Sequence, residues 1–580
     1  MQKRPYASLL LLSLLFSFYG ITNAQEPDWL WAKSMGGTGF DTGNSIAPDP
    51  SGNGDVYATG QFEGTVDFDP GFGTFNITSG GGPDIFISKL DGSGNLLWAK
   101  AMGGIKLDGG YSIAVDPAGS GDVYITGYFQ GTVDFDPGAG IFNLTATGAT
   151  DLFISKLDGT GNFLWAKAMG GSTYLYSNSI AVDPAGSGAV YTTGRFNETV
   201  DFDPGTETFN LTAAGDDIFI SKLDGSGNFL WVKAFGASGV FDVGNSIAID
   251  PAGSGDVFAT GKFQGTVDFD PGAGTFNLTA VGNQSIFISR LDSSGNFVWA
   301  KTMGGPNNIY GSSIAIDPTG IGSVYTTGIF NGTVDFDPGA GVFNLTAGGF
   351  DIFISKLNGS GNFVWAKAMG GSGFDHGVSI AVDPAGSGDI YTIGNFKGTA
   401  DFDPGAATFN LTSAGGSDIF ISKLDGTGNF AWAKLIGGKN DDYGNTLALD
   451  ALGHVYVAGQ FNSSSISLDS LTINNASTIG GITFDMFIAK LDIILSGTES
   501  RENNMGVSLF PNPATGTVQF DFGDNPVEPF YLTLTDAVGR VVISKKMLDK
   551  ELDVSYLQPG LYFMKIQNGE RMGTAKLLKQ

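Results

Sequence analysis

The chain of 580 residues has 30 basic and 58 acidic side chains, a net charge of −28 and no cysteine. A surface this acidic repels nucleic acid and anionic lipid, so neither is expected as a partner, whereas cations or simple solubility suit it. The lack of cysteine excludes disulfides and thiolate metal sites.

Residues 1–24 have the pattern of a secretory signal peptide. Lys3 and Arg4 precede the apolar run "ASLLLLSLLFSFYG", which is short for a membrane span, and "TNA" offers small residues for cleavage after Ala24. No other run is long and apolar enough to cross a bilayer. We therefore expect the remainder to be exported and free of transmembrane segments. Loss of Lys3 and Arg4 takes the charge to −30, of which residues 25–494 hold about −29.

Residues 28–37, "DWLWAKSMGG", contain a phrase that recurs along the chain. Its tryptophan repeats at spacings of 66 to 68 residues, at Trp31, Trp98, Trp165, Trp231, Trp299, Trp365 and Trp432. A period of this size indicates a β-propeller or another repeat array.

Each repeat contains four strand-like runs separated by Gly, Pro, Asp and Asn. We name these strands A ("SIAVD"), B ("VYITG"), C ("DIFISKL") and D ("FLWAKA"). Strand C is largely apolar on both sides, with Phe86 and Leu90 on one and Ile85 and Ile87 on the other. This is expected of a sheet packed between two others. Four strands per unit are typical of a propeller blade, and the tryptophan of strand D is predicted to anchor it to the adjacent blade.

The order of the strands predicts how the array closes. Strands A, B and C each occur seven times, ending at residues 485–492, and strand D also occurs seven times, but its first copy is at 28–37. Pairing of this first D strand with the last C strand would complete a seventh blade and remove two exposed edges. We predict an all-β fold, with a seven-bladed β-propeller over residues 25–494 closed by its terminal strands.

The repeat "DxFISKLDxxGNxxWAKxxGG…SIAxD…VYxTG" resembles the bacterial seven-bladed propeller repeat called SBBP, over about 465 residues. The resemblance implies this fold and no common enzymatic activity.

The loops between strands D and A keep nearly one length but change in content, from "TGFDTGN" to "KNDDYGN". Constant length with variable chemistry suits recognition, and aromatic rings beside carboxylates suit sugars; alternatively, the rings only fill gaps between blades. Most loops add an aspartate, such as Asp108, Asp242, Asp375 and Asp441. The candidate ligand-binding residues are Phe40, Asp41, Tyr111, Tyr174, Phe241, Tyr310, Phe374 and Tyr443.

The motif "VDFDPG", between strands B and C, should lie on the same face. It predicts a small hairpin, "TVDF" against "FNLT", with both aspartates on one side. Such a pair can chelate Ca²⁺ if carbonyls or waters complete the shell; alternatively, the second aspartate starts the turn and the first is solvated. The candidate metal ligands are Asp67, Asp69, Asp134, Asp136, Asp201, Asp203, Asp268, Asp270, Asp335, Asp337, Asp401 and Asp403.

The short A–B and C–D turns, "DPAGSGD" and "LDGSGN", are interpreted as turn chemistry, in which Asp and Asn bond their own backbone. A calcium loop is the alternative for "DGSGN", but it lacks the acidic residues and the downstream Glu of such loops.

After a polar linker at 495–506, residues 507–580 change composition and read as a small β-sandwich. The motifs "FPNPATG", "DAVGR", "LQPGLYFMKI" and the terminal "KLLKQ" resemble the C-terminal sorting domain (type A) of the type IX secretion system. The resemblance implies that the secretion machinery is a partner, that the protein crosses the outer membrane, and that the tail is removed before release or attachment to the cell surface.

No catalytic constellation is visible in the sequence. The only histidines are His376 and His454, and "GxSxG" and "HExxH" are both absent. We expect a monomeric binding module for an extracellular polysaccharide or protein partner, and no enzyme. A carbohydrate-active enzyme (hydrolase or lyase) using the same face and a purely structural surface protein remain alternatives.

Overall fold

The computed structural model describes residues 27–319, 322–476 and 483–492, and in the C-terminal part 508–510, 513–521, 530–536, 541–547, 550–568 and 571–579. The chain divides into two compact units, Glu26–Ile493 and a unit that contains Ile494–Gln580. Every regular element in these described ranges is a β-strand. They contain no helix that could span a membrane. The predicted signal peptide lies outside the described residues.

The described residues of the first unit form 36 strands, numbered in chain order. The first two repeats and the preceding strand comprise β1 (Asp28–Gly37), β2 (Thr42–Pro48), β3 (Val56–Phe62), β4 (Thr65–Asp67), β5 (Asn76–Thr78), β6 (Asp84–Leu90), β7 (Leu96–Met102), β8 (Gly109–Val115), β9 (Val123–Phe129), β10 (Thr132–Asp134), β11 (Asn143–Thr145), β12 (Asp151–Leu157) and β13 (Phe163–Gly171). The next two comprise β14 (Leu175–Val182), β15 (Val190–Asp201), β16 (Asn210–Leu223), β17 (Phe229–Phe235), β18 (Val243–Ile249), β19 (Val257–Phe263), β20 (Thr266–Asp268), β21 (Asn277–Thr279), β22 (Ser285–Leu291) and β23 (Phe297–Met303). The remainder are β24 (Ile309–Ile316), β25 (Val324–Asp335), β26 (Asn344–Leu357), β27 (Phe363–Gly371), β28 (His376–Val382), β29 (Ile390–Asp401), β30 (Asn410–Leu424), β31 (Phe430–Ile436), β32 (Asp442–Leu449), β33 (Val455–Phe461), β34 (Ser465–Leu468), β35 (Leu471–Asn474) and β36 (Asp485–Asp492).

The long strands pair antiparallel in groups of four, in the order A-B-C-D. In chain order these groups, called sheets 1 to 7 below, are β2-β3-β6-β7, β8-β9-β12-β13, β14-β15-β16-β17, β18-β19-β22-β23, β24-β25-β26-β27, β28-β29-β30-β31 and β32-β33-β36-β1. Each A strand contacts the A strand of the next sheet, and β32 contacts β2.

The fourth strand of sheet 7 comes from the start of the chain. Strand β1 pairs antiparallel with β36, with Ala32 opposite Ala489 and Met35 opposite Met486, and a bulge falls between Trp29 and Trp31. The order of strands in the repeat predicts this pairing for β1, because the last repeat has no strand D of its own.

Hydrophobic cores lie between successive sheets. On strand C of sheet 1, Ile85 and Ile87 join a core with sheet 2, whereas Phe86 and Leu90 join the core shared with sheet 7. Every residue of that strand is buried, because sheets cover both of its faces.

The repeat tryptophans link neighbouring sheets, as the sequence predicts. Trp231 Nε1 in sheet 3 donates to the Ser293 carbonyl in the C–D turn of sheet 4 (3.2 Å), and its ring meets Tyr191 edge-on at 6.1 Å. Trp31 makes the same bond from sheet 7 to Gly92 in sheet 1 (3.1 Å).

The described residues of the second unit form two antiparallel sheets, β37-β38-β41 and β40-β39-β42-β43. Buried side chains from both form one cluster, which includes Phe520, Leu534, Leu552, Met564 and Leu577. The strands are β37 (Ser508–Phe510), β38 (Thr517–Asp521), β39 (Phe530–Asp536), β40 (Val541–Met547), β41 (Glu551–Asp553), β42 (Gly560–Asn568) and β43 (Arg571–Lys579).

Candidate ligand-binding site

The D–A loops and the B–C connections meet at one face of the first unit. At the end of strand β1, Gly37 pairs with Val66 of hairpin strand β4. The carboxylate of Asp41 then joins the two segments, because the Gly37 amide donates to its Oδ2 (2.9 Å) and the Glu63 amide to its Oδ1 (3.1 Å). Each D–A loop is therefore held against the B–C connection of the following repeat.

Asp41 is inside the protein, which corrects its assignment as a ligand-binding residue. It is fully buried and both of its oxygens accept backbone amides, so it positions the loop and does not face a ligand. Burial raises its pKa from 3.8 to about 7. The sequence interpretation did not include the equivalent Asp442 of sheet 7. It treated Asp108, Asp242 and Asp375, which occupy the same position as Asp41, as part of the recognition loops. The equivalent buried residues are Asp108, Leu175, Asp242, Ile309, Asp375 and Asp442.

A second set of buried carboxyl groups lies at the beginning of strand C. Asp84 is 5% exposed; its Oδ2 accepts the Gly80 amide (2.8 Å), and its Oδ1 has no hydrogen-bond partner among the described residues. Burial raises the pKa of Asp84 to about 6. The Asp84 carboxyl group explains the first glycine of the "MGG" motif, because a Cβ at Gly103 would collide with it.

The predicted aromatic residues occupy three different positions of the loop. Phe40, Tyr174, Phe241 and Phe374 immediately precede the buried residue, Tyr310 and Tyr443 immediately follow it, and Tyr111 lies three residues after its buried aspartate. They do not form one symmetric ring. Asp441, which occupies the first of these positions in sheet 7, is exposed, and its Oδ1 accepts the Ser417 amide (2.8 Å).

The rings collect into separate clusters. Near the junction of sheets 7 and 1, Phe484 contacts Phe40 (5.3 Å between centroids) and Tyr443 (5.9 Å). Across sheets 2 and 3, Tyr128 contacts Tyr111 (5.2 Å) and Tyr176 (5.7 Å).

Two cations lie over the rings of sheets 3 to 5, and the sequence interpretation missed both. The Arg195 guanidinium lies 4.5 Å from the ring centroid of Phe241, and also covers Tyr176 (5.1 Å) and Tyr174 (5.6 Å). The Lys262 ammonium lies 4.7 Å from the same Phe241 ring and 5.5 Å from Tyr310. These are cation–π distances.

The two cations border a cavity of about 520 Å³. Of the predicted ligand residues, the structure brings Phe241 and Tyr310 to this cavity. The described lining contains no acidic side chain and consists of Asn178, Arg195, Phe241, Val243, Asn245, Lys262, Tyr310, Ser312, His376 and Val378.

Arg195 and Lys262 differ in their partners. Arg195 Nη1 donates to Asp216 Oδ2 (3.1 Å), and Asp216 Oδ1 also accepts the Tyr174 hydroxyl (2.8 Å). Lys262 is half-buried and has no ion-pair partner in the described part of the chain. Burial, followed by repulsion from Arg195, lowers the pKa of Lys262.

His376 forms the wall of the cavity near sheet 6. Its Nε2 is 2.7 Å from Ser312 Oγ, and its ring meets Tyr310 edge-on at 6.0 Å. Burial lowers the pKa of His376 from 6.5 to about 4, so the imidazole is neutral at neutral pH.

The paired aspartates of "VDFDPG" lie in the hairpins that the motif predicts. Strand β4 pairs with β5, with Thr65 opposite Thr78. Asp67 Oδ1 accepts the amides of Asp69 (3.0 Å) and Phe75 (2.7 Å), and Asp69 Oδ1 accepts the Gly71 amide (2.8 Å). The same pattern recurs at Asp134 and Asp136, Asp201 and Asp203, Asp268 and Asp270, Asp335 and Asp337, and Asp401 and Asp403.

This geometry gives the aspartates a role in the hairpin turn. Among the residues that the structure describes, no group of three or more His, Cys, Asp or Glu side chains could hold a metal ion. Calcium at the paired aspartates therefore stays a prediction, and it requires carbonyl or water ligands beside the two carboxylates.

The C-terminal unit matches a known family. Residues 508–580 match the family model described as the secretion system C-terminal sorting domain. This domain marks proteins that the type IX system exports, so the chain is an exported protein of the cell surface or the medium, handled by that machinery.

Two curated proteins are similar to the chain at low identity. The uncharacterized WD repeat-containing protein L264 of Acanthamoeba polyphaga mimivirus is 23% identical over 474 residues, covering 67% of this chain and 33% of that protein. The regulatory protein FlaEY of Caulobacter vibrioides is 22% identical over 412 residues, covering 59% of this chain and 42% of that protein. The chain thus spans less than half the length of either relative. The WD-repeat relative and the antiparallel sheets are consistent with a propeller-like all-β fold.

Two solved structures are also similar. Sqt1 from Chaetomium thermophilum has a TM-score of 0.35 at 11% identity, covering 75% of this chain and 97% of that chain. PorZ, a surface component of the type IX secretion system of Porphyromonas gingivalis, has a TM-score of 0.19 at 11% identity, covering 95% and 100%. Both TM-scores are low, and neither likeness indicates a function.

Proposed function

We propose that the first unit is a closed seven-bladed β-propeller of the SBBP type and that the C-terminal unit is a small β-sandwich. The strand order shared by sheets 1 to 7, the successive contacts between their A strands and the pairing of β1 with β36 support the first assignment. Two sheets around one hydrophobic cluster support the second.

We propose that this exported propeller binds an extracellular polysaccharide at the face formed by the D–A loops and B–C connections. The observation that carries the proposal is the cavity between sheets 3 and 6, which joins Phe241 and Tyr310 to Arg195 and Lys262. Flat rings suit the apolar faces of sugars, and the amides of Asn178 and Asn245 suit their hydroxyl groups. A protein partner is the alternative occupant that the binding test separates.

Binding is favoured over hydrolysis by the chemistry of this cavity. Glycoside hydrolysis uses a pair of carboxyl groups, and no Asp or Glu is among the described lining residues. His376 bonds Ser312, but no carboxylate is recorded on its other ring nitrogen among the described residues, so the orienting third group of a nucleophilic triad is missing there.

A polysaccharide binding screen of the full-length protein tests the proposal. The wild type should bind at least one extracellular polysaccharide, and Phe241→Ala should weaken that binding about tenfold, because stacking on a ring is worth on the order of 1 kcal/mol. Phe40→Ala is the matched control, since Phe40 belongs to the cluster at the junction of sheets 7 and 1.

The screen is repeated with Ca²⁺ and with EDTA. Loss of binding in EDTA would make the paired aspartates part of the site. Failure to bind any polysaccharide, or equal losses in Phe241→Ala and Phe40→Ala, would contradict the proposed site and redirect the search to a protein partner.

A further inference from the structure

The sequence repeat provides an internal comparison for Arg195 and Lys262. Both occupy the variable position of the motif "TGxF" at the end of strand B, on adjacent sheets. The equivalent residues in the other sheets are Gln61, Tyr128, Ile329, Asn395 and Gln460. Because the same scaffold forms with uncharged residues in five of its seven copies, the fold does not require a cation here.

Both cations contact the same aromatic ring, but only one of them forms an ion pair. Phe241 is contacted by both, at 4.5 Å from the Arg195 guanidinium and 4.7 Å from the Lys262 ammonium. Asp216 balances Arg195, whereas Lys262 has no ion-pair partner within the described ranges. The cavity edge therefore carries one positive charge without an ion pair in a half-buried, aromatic environment, and its attraction to an acidic group comes from the buried Asp242, which lies outside the lining.

A ligand anion placed beside Lys262 would remove this imbalance. It would supply the missing counter-charge, relieve the repulsion between Lys262 and Arg195, and accept charge-assisted hydrogen bonds from both. The cavity of about 520 Å³ has room for one or two sugar rings next to Phe241 and Tyr310.

We infer that this cavity binds an acidic sugar, whose carboxylate or sulfate group lies between Arg195 and Lys262 while its ring stacks on Phe241 or Tyr310. The inference rests on the proposed polysaccharide-binding function and adds the chemical class of the sugar.

The acidity of the rest of the chain is compatible with such a ligand. The net charge of −28 belongs to the whole chain, and at physiological ionic strength charges farther apart than about 8 Å are largely screened. Contacts with Arg195 and Lys262 act within that distance in a partly desolvated cavity. Long-range repulsion would chiefly slow association, so affinity should depend on these two contacts.

The test compares ligands that differ only in charge. Calorimetry of the full-length protein uses oligomers of polygalacturonate against their methyl esters, and dextran sulfate against dextran. We expect the wild type to bind at least one charged oligomer about tenfold or more tightly than its neutral counterpart. The two charged ligands distinguish a carboxylate from a sulfate preference.

Lys262→Gln is the decisive variant. Glutamine already occupies this position at Gln61 and Gln460, so the variant should fold normally. It should bind the preferred charged oligomer about tenfold more weakly and the neutral oligomer unchanged. Lys439→Gln, which removes an exposed lysine from the D–A loop before sheet 7, should leave both affinities unchanged.

The outcomes separate the two proposals. If Lys262→Gln keeps wild-type affinity for the charged oligomer, or if charged and neutral oligomers bind equally, the acidic-sugar inference is wrong while polysaccharide binding stands. If no polysaccharide of either kind binds the wild type, the proposed function itself is wrong.

Discussion

At the scale of single residues, the side chains of the D–A loops have two roles. Some hold the loop in place, as Asp41 does with the amides of Gly37 and Glu63. Others face the cavity, as Phe241 and Tyr310 do. Sequence patterns select the loops as variable but do not separate these roles, because Asp41 and Phe40 are neighbours whose exposure is decided by the B–C connection packed against them.

The two cations illustrate what sequence reasoning missed. Arg195 and Lys262 are 67 positions apart, and each contacts Phe241 only after folding. The available signal was the variable residue of "TGxF", which stands between an otherwise constant glycine and phenylalanine. A search for variable positions within the strands, and not only within the loops, would have found both.

The buried carboxyl groups predict an unusual dependence of stability on pH. The folded pKa of Asp84 is about 6, above its ordinary value of 3.8, so its contribution to stability is full below about pH 4 and is lost as pH rises through 6. Asp41, Asp108 and Asp242, with pKa values raised to about 7, act in the same direction. We expect the Tm of the full-length protein to increase when the pH is lowered from 8 to 5.

Asp84→Asn tests this cause directly. The amide can still accept the Gly80 bond but carries no charge, so the variant should be more stable than wild type at pH 8, by on the order of 2 kcal/mol, and this difference should shrink as the pH falls and vanish below about pH 4. Asp151→Asn is the control, because both oxygens of Asp151 accept hydrogen bonds from Thr147 or Gly148 and its gain should be smaller. Equal stability of wild type and Asp84→Asn at pH 8 would show that Asp84 is not destabilised by ionisation.

At the scale of elements, the hairpins and the first strand were predictable because they depend on local pattern and on counting. The alternation of "TVDF" places Val66 in the core and leaves Asp67 partly exposed, as in the structure. The surplus D strand at the start of the chain indicates its partner, since only the last repeat lacks one. The choice between a turn and a calcium site at "DFDPG" was not predictable. Asp67 accepts hydrogen bonds from backbone amides whose positions cannot be read from the sequence.

A cross-link tests the pairing of β1 with β36. The chain contains no cysteine, so Ala32→Cys with Ala489→Cys introduces the only two thiols, on residues directly opposite in the register. We expect a disulfide that links the two ends of the first unit and raises its Tm, detected by alkylation and mass spectrometry. Ala32→Cys with Ser289→Cys, which uses the position equivalent to Ala489 in sheet 4, should keep both thiols reactive. Free thiols in the first pair as well as in the second would contradict the register.

At the scale of the whole molecule, the repeat that builds the sheets also makes differences between them visible. Sheets 1 to 7 share their strand order, their tryptophan contacts and their buried carboxyl groups with few exceptions, so the repeated four-stranded antiparallel organisation was predictable from periodicity alone. The proposed site lies where this symmetry is broken, in the sector that contains Arg195, Phe241 and Lys262. The sorting domain occupies a separate part of the chain, residues 508–580.

The most direct test of ligand binding at the cavity is hydrogen–deuterium exchange of the full-length protein, with and without the polysaccharide that binds best in the screen. We expect slower exchange in bound protein at residues 174–178, 193–197, 239–245, 260–263 and 308–313, which surround the cavity. The C–D turns, such as 91–95 and 158–162, and the described parts of residues 508–579 should exchange as in free protein. Protection confined to those turns or to the C-terminal unit, with unchanged exchange around Phe241, would contradict the assigned site.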